Sequence, residues 1–199
     1  MSPRKTDARE RMILSTVALL KEHSADAVSV DRVLAHSGAP RGSVYHHFPG
    51  GRTQLLDEAV AHAGAYLCKV IQDAAARSGD PVQGVDAFFG LWRTWLVESD
   101  FRAGCPILSA VGTDNEAFAR TRSALDALAH WEKSLADLIA EGGLPARRSR
   151  QMAAFIIAAA EGAVAMCRAE RSINPLDGAA AEVRDHLSRA LRKDPGPQG

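Results

Sequence analysis

Ser37-Gly38-Ala39-Pro40-Arg41-Gly42-Ser43-Val44-Tyr45-His46-His47-Phe48-Pro49 is the stretch that decides the fold. It reads as a tight turn feeding one short helix, with a guanidinium, a hydroxyl, a phenol and two imidazoles shown to solvent, groups that suit a DNA groove. Ahead of it, Ser29 stands where a helix cap belongs, Val30, Val33 and Leu34 form a short apolar stripe, and Gly38 supplies the left-handed residue that ends the helix. The spacing predicts a second helix with Pro40 in its first turn. Val44 and Phe48, four apart, dock inward, which leaves Arg41, Ser43, Tyr45 and His46 on the open face and His47 at its edge. This is the logic of a helix-turn-helix with a presented recognition helix.

Outward from that stretch, the chain reads as helices throughout. A first helix is expected from about Thr6 to Glu22, burying Ile13, Val17 and Leu20 with Leu14 and Ala18. A fourth runs from near Gly51 through Leu55, Leu56, Ala59, Val60, Ala63, Leu67 and Val70 to about Arg77, roughly 40 Å at 1.5 Å per residue. Asp80 and Pro81 start the next, which carries Val85, Phe88, Phe89, Trp92, Trp95 and Leu96. Arg102 to Pro106 opens another short helix. After Thr113-Asp114 a long one extends to about Glu141 with Phe118, Leu125, Leu128, Trp131, Leu135 and Leu138, and Gly142-Gly143-Leu144-Pro145 breaks it. Two final helices, about Met152 to Arg168 and Pro175 to Arg192, precede a tail at 195–199. No alternating strand pattern lies between turn pairs, so the fold class is all-α.

The chain has 199 residues, 46% of them hydrophobic, enough for one small and one larger domain. Net charge is +0, but unevenly spread. Through Leu56 there are eight basic residues against five acidic ones, a surplus of three that the remainder cancels. A mildly positive head on an acidic body favours phosphate contact at one end only. The N-terminus is charged rather than apolar, and no apolar run approaches the roughly 20 residues that span a bilayer, so a cytoplasmic protein without a membrane partner is expected. Cys68, Cys105 and Cys167 are too few and too scattered for a disulfide framework. His46 and His47 are adjacent and diverge on a helix, so neither a metal site nor a cofactor is expected.

The helix-turn-helix wording, with Ser-Val-Tyr-His-His-Phe followed by a basic residue and Leu55-Leu56, resembles the TetR family of bacterial transcriptional repressors. Gly-Ala-Pro-Arg-Gly-Ser, Phe-Pro-Gly-Gly-Arg and Gly104-Cys105-Pro106-Ile107 look most like its LmrA and YxaF branch. The resemblance implies a helix-turn-helix head at 1–50 and a helical effector-binding and dimerisation body at 51–194, joined by a linking helix at 51–77. It also implies double-stranded operator DNA as partner. Arg41 would pair with a guanine; Gly42 would keep the backbone close; Ser43 would reach either a base edge or a phosphate, and His46, where the family varies, a base edge. Tyr45, His47 and Arg52 would hold phosphates, as would Ser29 beside its capping role. Two departures stand out: Pro40 replaces the hydroxyl often found at the recognition-helix cap, and Phe-Pro-Gly-Gly-Arg is one residue longer than the commonest form, which leaves the angle of Arg52 open.

In the body, three tryptophans together with Tyr66, Phe88, Phe89, Met152, Phe155 and Met166 make either a core or the lining of a site for an apolar aromatic effector. Trp92, Trp95, Cys105, Trp131 and Phe155 are the candidate effector contacts. Met152 to Arg168 is rich in small residues, and Ala179, Val183, Leu187 and Leu191 recur at heptad-like spacing, so a homodimer through the last two helices is expected. Together these features lead to the expectation of a repressor released from its operator by that effector. Its alternatives are a constitutive DNA-binding protein without effector, and a small all-α enzyme, for which no Cys, His and acid constellation can be assembled.

Overall fold

A computed structural model describes residues 8–111 and 117–193. The described residues are helical, with no strand among them: α1 (Ala8–Glu22), α2 (Val30–Ser37), α3 (Ser43–His47), α4 (Gly51–Ser78), α5 (Pro81–Glu98), α6 (Ala117–Glu141), α7 (Ala146–Glu170) and α8 (Asn174–Lys193), with 3-10 turns at Ala25–Ala27 and Leu108–Ala110. They divide into two compact units, one within 1–64 and 105–127, the other within 65–104 and 128–199. Helices α4 and α6 contribute residues to both. Thr6, Thr113-Asp114 and the 195–199 tail lie outside the described residues, as does the side chain of Phe118.

In the first unit, the local signals act as read. Ser29 Oγ accepts from the Arg32 N–H at 3.2 Å, and Gly38 ends α2 at φ +64° while its N–H donates to the Leu34 carbonyl. Pro40 is not in the first turn of α3, contrary to the expectation. Its carbonyl accepts from both the N–H (2.9 Å) and the hydroxyl (2.6 Å) of Ser43, which closes a separate turn. The helix therefore begins at Ser43. The stripe of α1 is also rotated from the one expected: Met12, Ile13, Ser15, Thr16 and Leu20 are buried, whereas Leu14 is exposed and Val17 and Ala18 are half-buried. Thr16 is tolerated inside because its hydroxyl donates to the Met12 carbonyl at 2.7 Å. Where a short helix was expected from Arg102, the chain instead forms the 3-10 turn Leu108–Ala110, which packs on α1.

In the second unit, Asp80 caps α5 by accepting from the Val82 N–H at 2.9 Å, with Pro81 following. Helix α5 packs on α7 and α8, which also pack on one another. Arg171, in left-handed conformation at the end of α7, donates to Asp100 beyond the end of α5 at 2.6 Å. Val183 and Leu187 of α8 are buried inside this unit, so that stripe serves the subunit's own core rather than a partner. In α6, Leu125 points outward while Ala124, Ala127 and Ile139 turn in. Helix α7 corrects one further expectation: it is long and apolar enough by composition to cross a bilayer. Its apolarity comes largely from alanine, and Met152, Ala153, Ile156, Ala160, Ala163, Val164 and Cys167 are covered within the unit.

Candidate nucleic-acid interface and effector site

Helix α3 is a single short turn of chain, and what holds it is beneath it. Val44 and Phe48 are fully buried, and full burial of a side chain of this size stabilises by about 1.5–3 kcal/mol. The Arg9 guanidinium lies 5.3 Å from the centre of the Phe48 ring while forming an ion pair with Glu58, so α1 covers that anchor and is tied to α4. Sequence reading counted Arg9 only as a charge; its pairing across 49 positions leaves no local signal.

The opposite edge of α3 is open. Tyr45 is 69% exposed; Arg41 and His46 are exposed, and Ser43 and His47 are half-buried. Arg41 and Tyr45 make no hydrogen bond or ion pair among the described residues, so both are available to a partner. The His46 and His47 rings meet edge to face at 5.0 Å. Ser43 donates its hydroxyl proton to the Pro40 carbonyl, and its Oγ also lies 4.0 Å from Met12 Sδ, so its lone pairs remain for a further donor. Ser29 accepts within the cap through its oxygen, so its hydroxyl proton remains available for another acceptor.

Arg52 has a different occupation from the one expected. It is half-buried, its Nε donates to the Val28 carbonyl at 2.9 Å, and its Nη2 donates to the Ala25 carbonyl at 2.5 Å. The guanidinium fastens the start of α4 to the segment before α2. The extra residue of Phe-Pro-Gly-Gly-Arg is absorbed at Gly51, whose φ of +62° disfavours any side chain, while its N–H donates to the Phe48 carbonyl. The Tyr45 ring rests beside it, with Cε1 3.5 Å from where a Cβ would stand.

Tyr66, Phe88, Phe89, Trp92, Trp95 and Trp131 form one packed cluster. Phe88, Trp92 and Trp131 meet pairwise at centroid distances of 6.3 Å in edge-to-face geometry, and all three are buried. Trp95 joins Trp92 at 5.2 Å and stacks on Tyr66, so the cluster grades from a closed floor to a rim where Trp95 is half-buried and Tyr66 exposed. Within the floor, Trp92 Nε1 is buried and finds no acceptor. Phe155 is not part of this cluster; half-exposed on the far side of α7, its ring meets His186 at 5.9 Å. Cys105 is buried in the first unit, where its Sγ accepts from the Leu108 N–H. A cavity of about 340 Å³ opens elsewhere, among Ile71, Gln72, Pro81, Leu138 and Glu141, and is not lined by tryptophan. Among the described residues no cluster of three metal-ligating side chains occurs.

Residues 13–59 match the family model described as bacterial regulatory proteins, tetR family, and residues 81–182 match the model for transcriptional regulator LmrA/YxaF-like, C-terminal domain. An uncharacterized HTH-type transcriptional regulator of Mycobacterium tuberculosis is 37% identical over 192 residues, covering 92% of this chain and 95% of the relative. The HTH-type transcriptional regulator LmrA of Bacillus subtilis is 25% identical over 184 residues, covering 92% and 98%. Among solved structures, the regulatory protein TetR from Rhodobacter sphaeroides superimposes with a TM-score of 0.76 at 21% identity, covering 90% of this chain and 98% of that one, which supports the fold.

Proposed function

The chain belongs to the TetR family of bacterial transcriptional regulators, as a DNA-binding regulator of its LmrA/YxaF-like branch, and on that premise we propose a dimeric repressor that an apolar aromatic effector releases from its operator. The observation that carries the DNA half is the open edge at α3, where Tyr45 and His46, with Arg41 just ahead of the helix, are exposed above a fully buried Val44 and Phe48. Arg41 pairs with a guanine; Ser43 and His46 meet base edges; Gly42 admits the backbone; Tyr45, His47 and Ser29 hold phosphates. Arg52 acts as the fastener that sets the angle of this surface. Functionally, residues 1–50 read DNA and 51–194 sense and dimerise, in the cytoplasm where the operator is.

Dimerisation runs through the outer stripe of α7. Ala154, Phe155, Ala158, Gly162, Ala165 and Met166 recur at helical spacing and are exposed, opposite the stripe that α7 buries within its own subunit. A two-fold pair presents two recognition helices about 34 Å apart, as successive major grooves require. The effector binds the aromatic cluster in a conformation with a different spacing, and α4, continuous from residue 51 to 78, transmits the difference. Reciprocity then requires operator DNA to weaken effector binding by the same factor.

Gel shifts on the DNA upstream of the regulator's own gene, with and without a panel of apolar drugs and dyes, test this. The expected result is a shifted band that at least one compound abolishes. A band that no compound moves leaves the constitutive reading, which the close packing of the tryptophans favours; no band at all removes the operator assignment. Light scattering at micromolar concentration is expected to give a dimer, and a monodisperse monomer contradicts the paired arrangement.

A further inference from the structure

A helix as short as α3 cannot hold its own direction: it spans five residues, far below the length at which a helix is stable by itself. Its exit, Phe48 to Gly50, is tied by two routes to one carboxylate. The Gly50 N–H donates to Gln54 Oε1 at 2.8 Å, and Gln54 Nε2 donates to Glu58 Oε1 at 2.9 Å. Positions 50, 54 and 58 are spaced by four, so this row climbs one face of α4. The second oxygen, Glu58 Oε2, pairs with Arg9, whose guanidinium lies over the buried Phe48 ring. Gly50 suits the first route by its size. A Cβ there would stand 3.1 Å from Gln54 Cβ and 3.2 Å from its Oε1, so the folded-back amide would have to give way. As an ion pair the arrangement contributes little stability, because Arg9 keeps 43% and Glu58 28% of its side-chain surface in water. What it fixes is the place where α3 ends.

We propose that Glu58 is a positioning residue for DNA recognition: through Gln54 and Gly50 by one route, and Arg9 and Phe48 by the other, its carboxylate sets the angle at which α3 presents its open edge. This rests on the reading of α3 as the DNA-reading element. Glu58 acts through its neighbours and carries the wrong charge to touch a phosphate. Neutralising it separates two roles by sign. A carboxylate that only lowers the positive potential of the head, or holds Arg9 back from the DNA backbone, lets every DNA bind tighter once its charge is gone. A carboxylate that sets the angle of α3 leaves the operator bound more weakly, despite the gain in positive charge.

Fluorescence anisotropy of the full-length protein, on the fragment upstream of its own gene and on a scrambled fragment of equal length, measures that sign. Glu58→Gln is expected to weaken operator binding about fivefold while scrambled DNA binds as before or tighter, at a temperature well below melting so that a folding deficit cannot imitate the effect. Arg9→Met keeps an apolar stem for Phe48 and is expected to give the same loss, with the double variant no weaker than either single one. Gln54→Ala cuts only the Gly50 route and is expected to lose about twofold in the same sense. Glu10→Gln removes an exposed charge from the same head and is expected not to weaken operator binding. Tighter operator binding in Glu58→Gln, equal losses on both fragments, or additive losses in the double variant overturns the positioning role. If Arg41→Ala binds the operator as the unaltered protein does, α3 is not the DNA-reading element and the premise falls with the proposal. If Arg41→Ala weakens binding and Glu58→Gln does not, the premise stands and only the positioning role falls.

Discussion

One aromatic region of this chain turns its polar atoms to solvent, and the other buries them. In the head, Tyr45 is 69% exposed and its inward neighbours Val44 and Phe48 are fully buried, so the polar edge of α3 is displayed on a finished hydrophobic base. In the body, Trp92 is buried and its indole N–H has no hydrogen-bond partner. An outward edge is ready for its partner before the partner arrives. The inward donor is closed off from solvent, whereas the outward edge needs no rearrangement to meet a partner.

The contrast breaks most easily at the base of α3. Phe48→Ala removes a fully buried ring under the Arg9 guanidinium and is expected to cost about 3–5 kcal/mol of stability, with operator binding lost. Thermal melting and gel shifts check it; an unchanged melt with intact binding means the display does not rest on that ring. Next in size is Arg52→Ala. With two carbonyls losing a charged donor, the loss expected is about 1.5–3 kcal/mol of stability, and the salt dependence of operator binding stays as it was. Should the salt slope fall by about one instead, Arg52 is a phosphate contact and the fastening is secondary.

Arg41→Ala sharpens the comparison from the other side, because it touches the displayed edge alone. Operator affinity is expected to drop by about 1–3 kcal/mol, with relaxed selection at one base pair and no change in melting temperature. Competition with a set of single-base operator variants measures it. A uniform loss across all sequences assigns the guanidinium to a phosphate. The smallest effect belongs to Ser29→Ala, about 1 kcal/mol of stability from the lost cap of α2, seen as a lowered denaturation midpoint. Ser29→Asp keeps the cap and removes the donated proton, so a stable variant with weakened operator binding isolates the phosphate contact.

Legibility in the sequence followed how local each cause was. Ser29 caps three residues away, Gly38 ends its own helix, and Asp80 with Pro81 starts the next, so each was readable from neighbours alone. Val44 and Phe48 declared their inward face by a spacing of four. The misreadings turn on which backbone carbonyl a side chain finds, or which residue takes the inner position, and apolar spacing shows neither, near or far. Thr16 is buried because its hydroxyl finds the Met12 carbonyl, which rotates the stripe of α1, and Leu125 faces out because Ala124 and Ala127 take the inner positions. Pro40 is suited to a first helical turn, yet its carbonyl is taken by Ser43. The acceptors of Arg52 lie 24 and 27 residues away, beyond any motif. In the body, spacing gathered the tryptophans into one cluster, but the unmatched donor of Trp92 exists only once the rings are packed.

The most direct measurement places a photo-cross-linking benzoylphenylalanine at position 45 in one sample and at position 155 in another, and irradiates each bound to its operator fragment. Attachment to DNA from position 45 and to a second copy of the chain from position 155 is the result expected. Attachment to protein from position 45, with DNA captured at position 155, would contradict it.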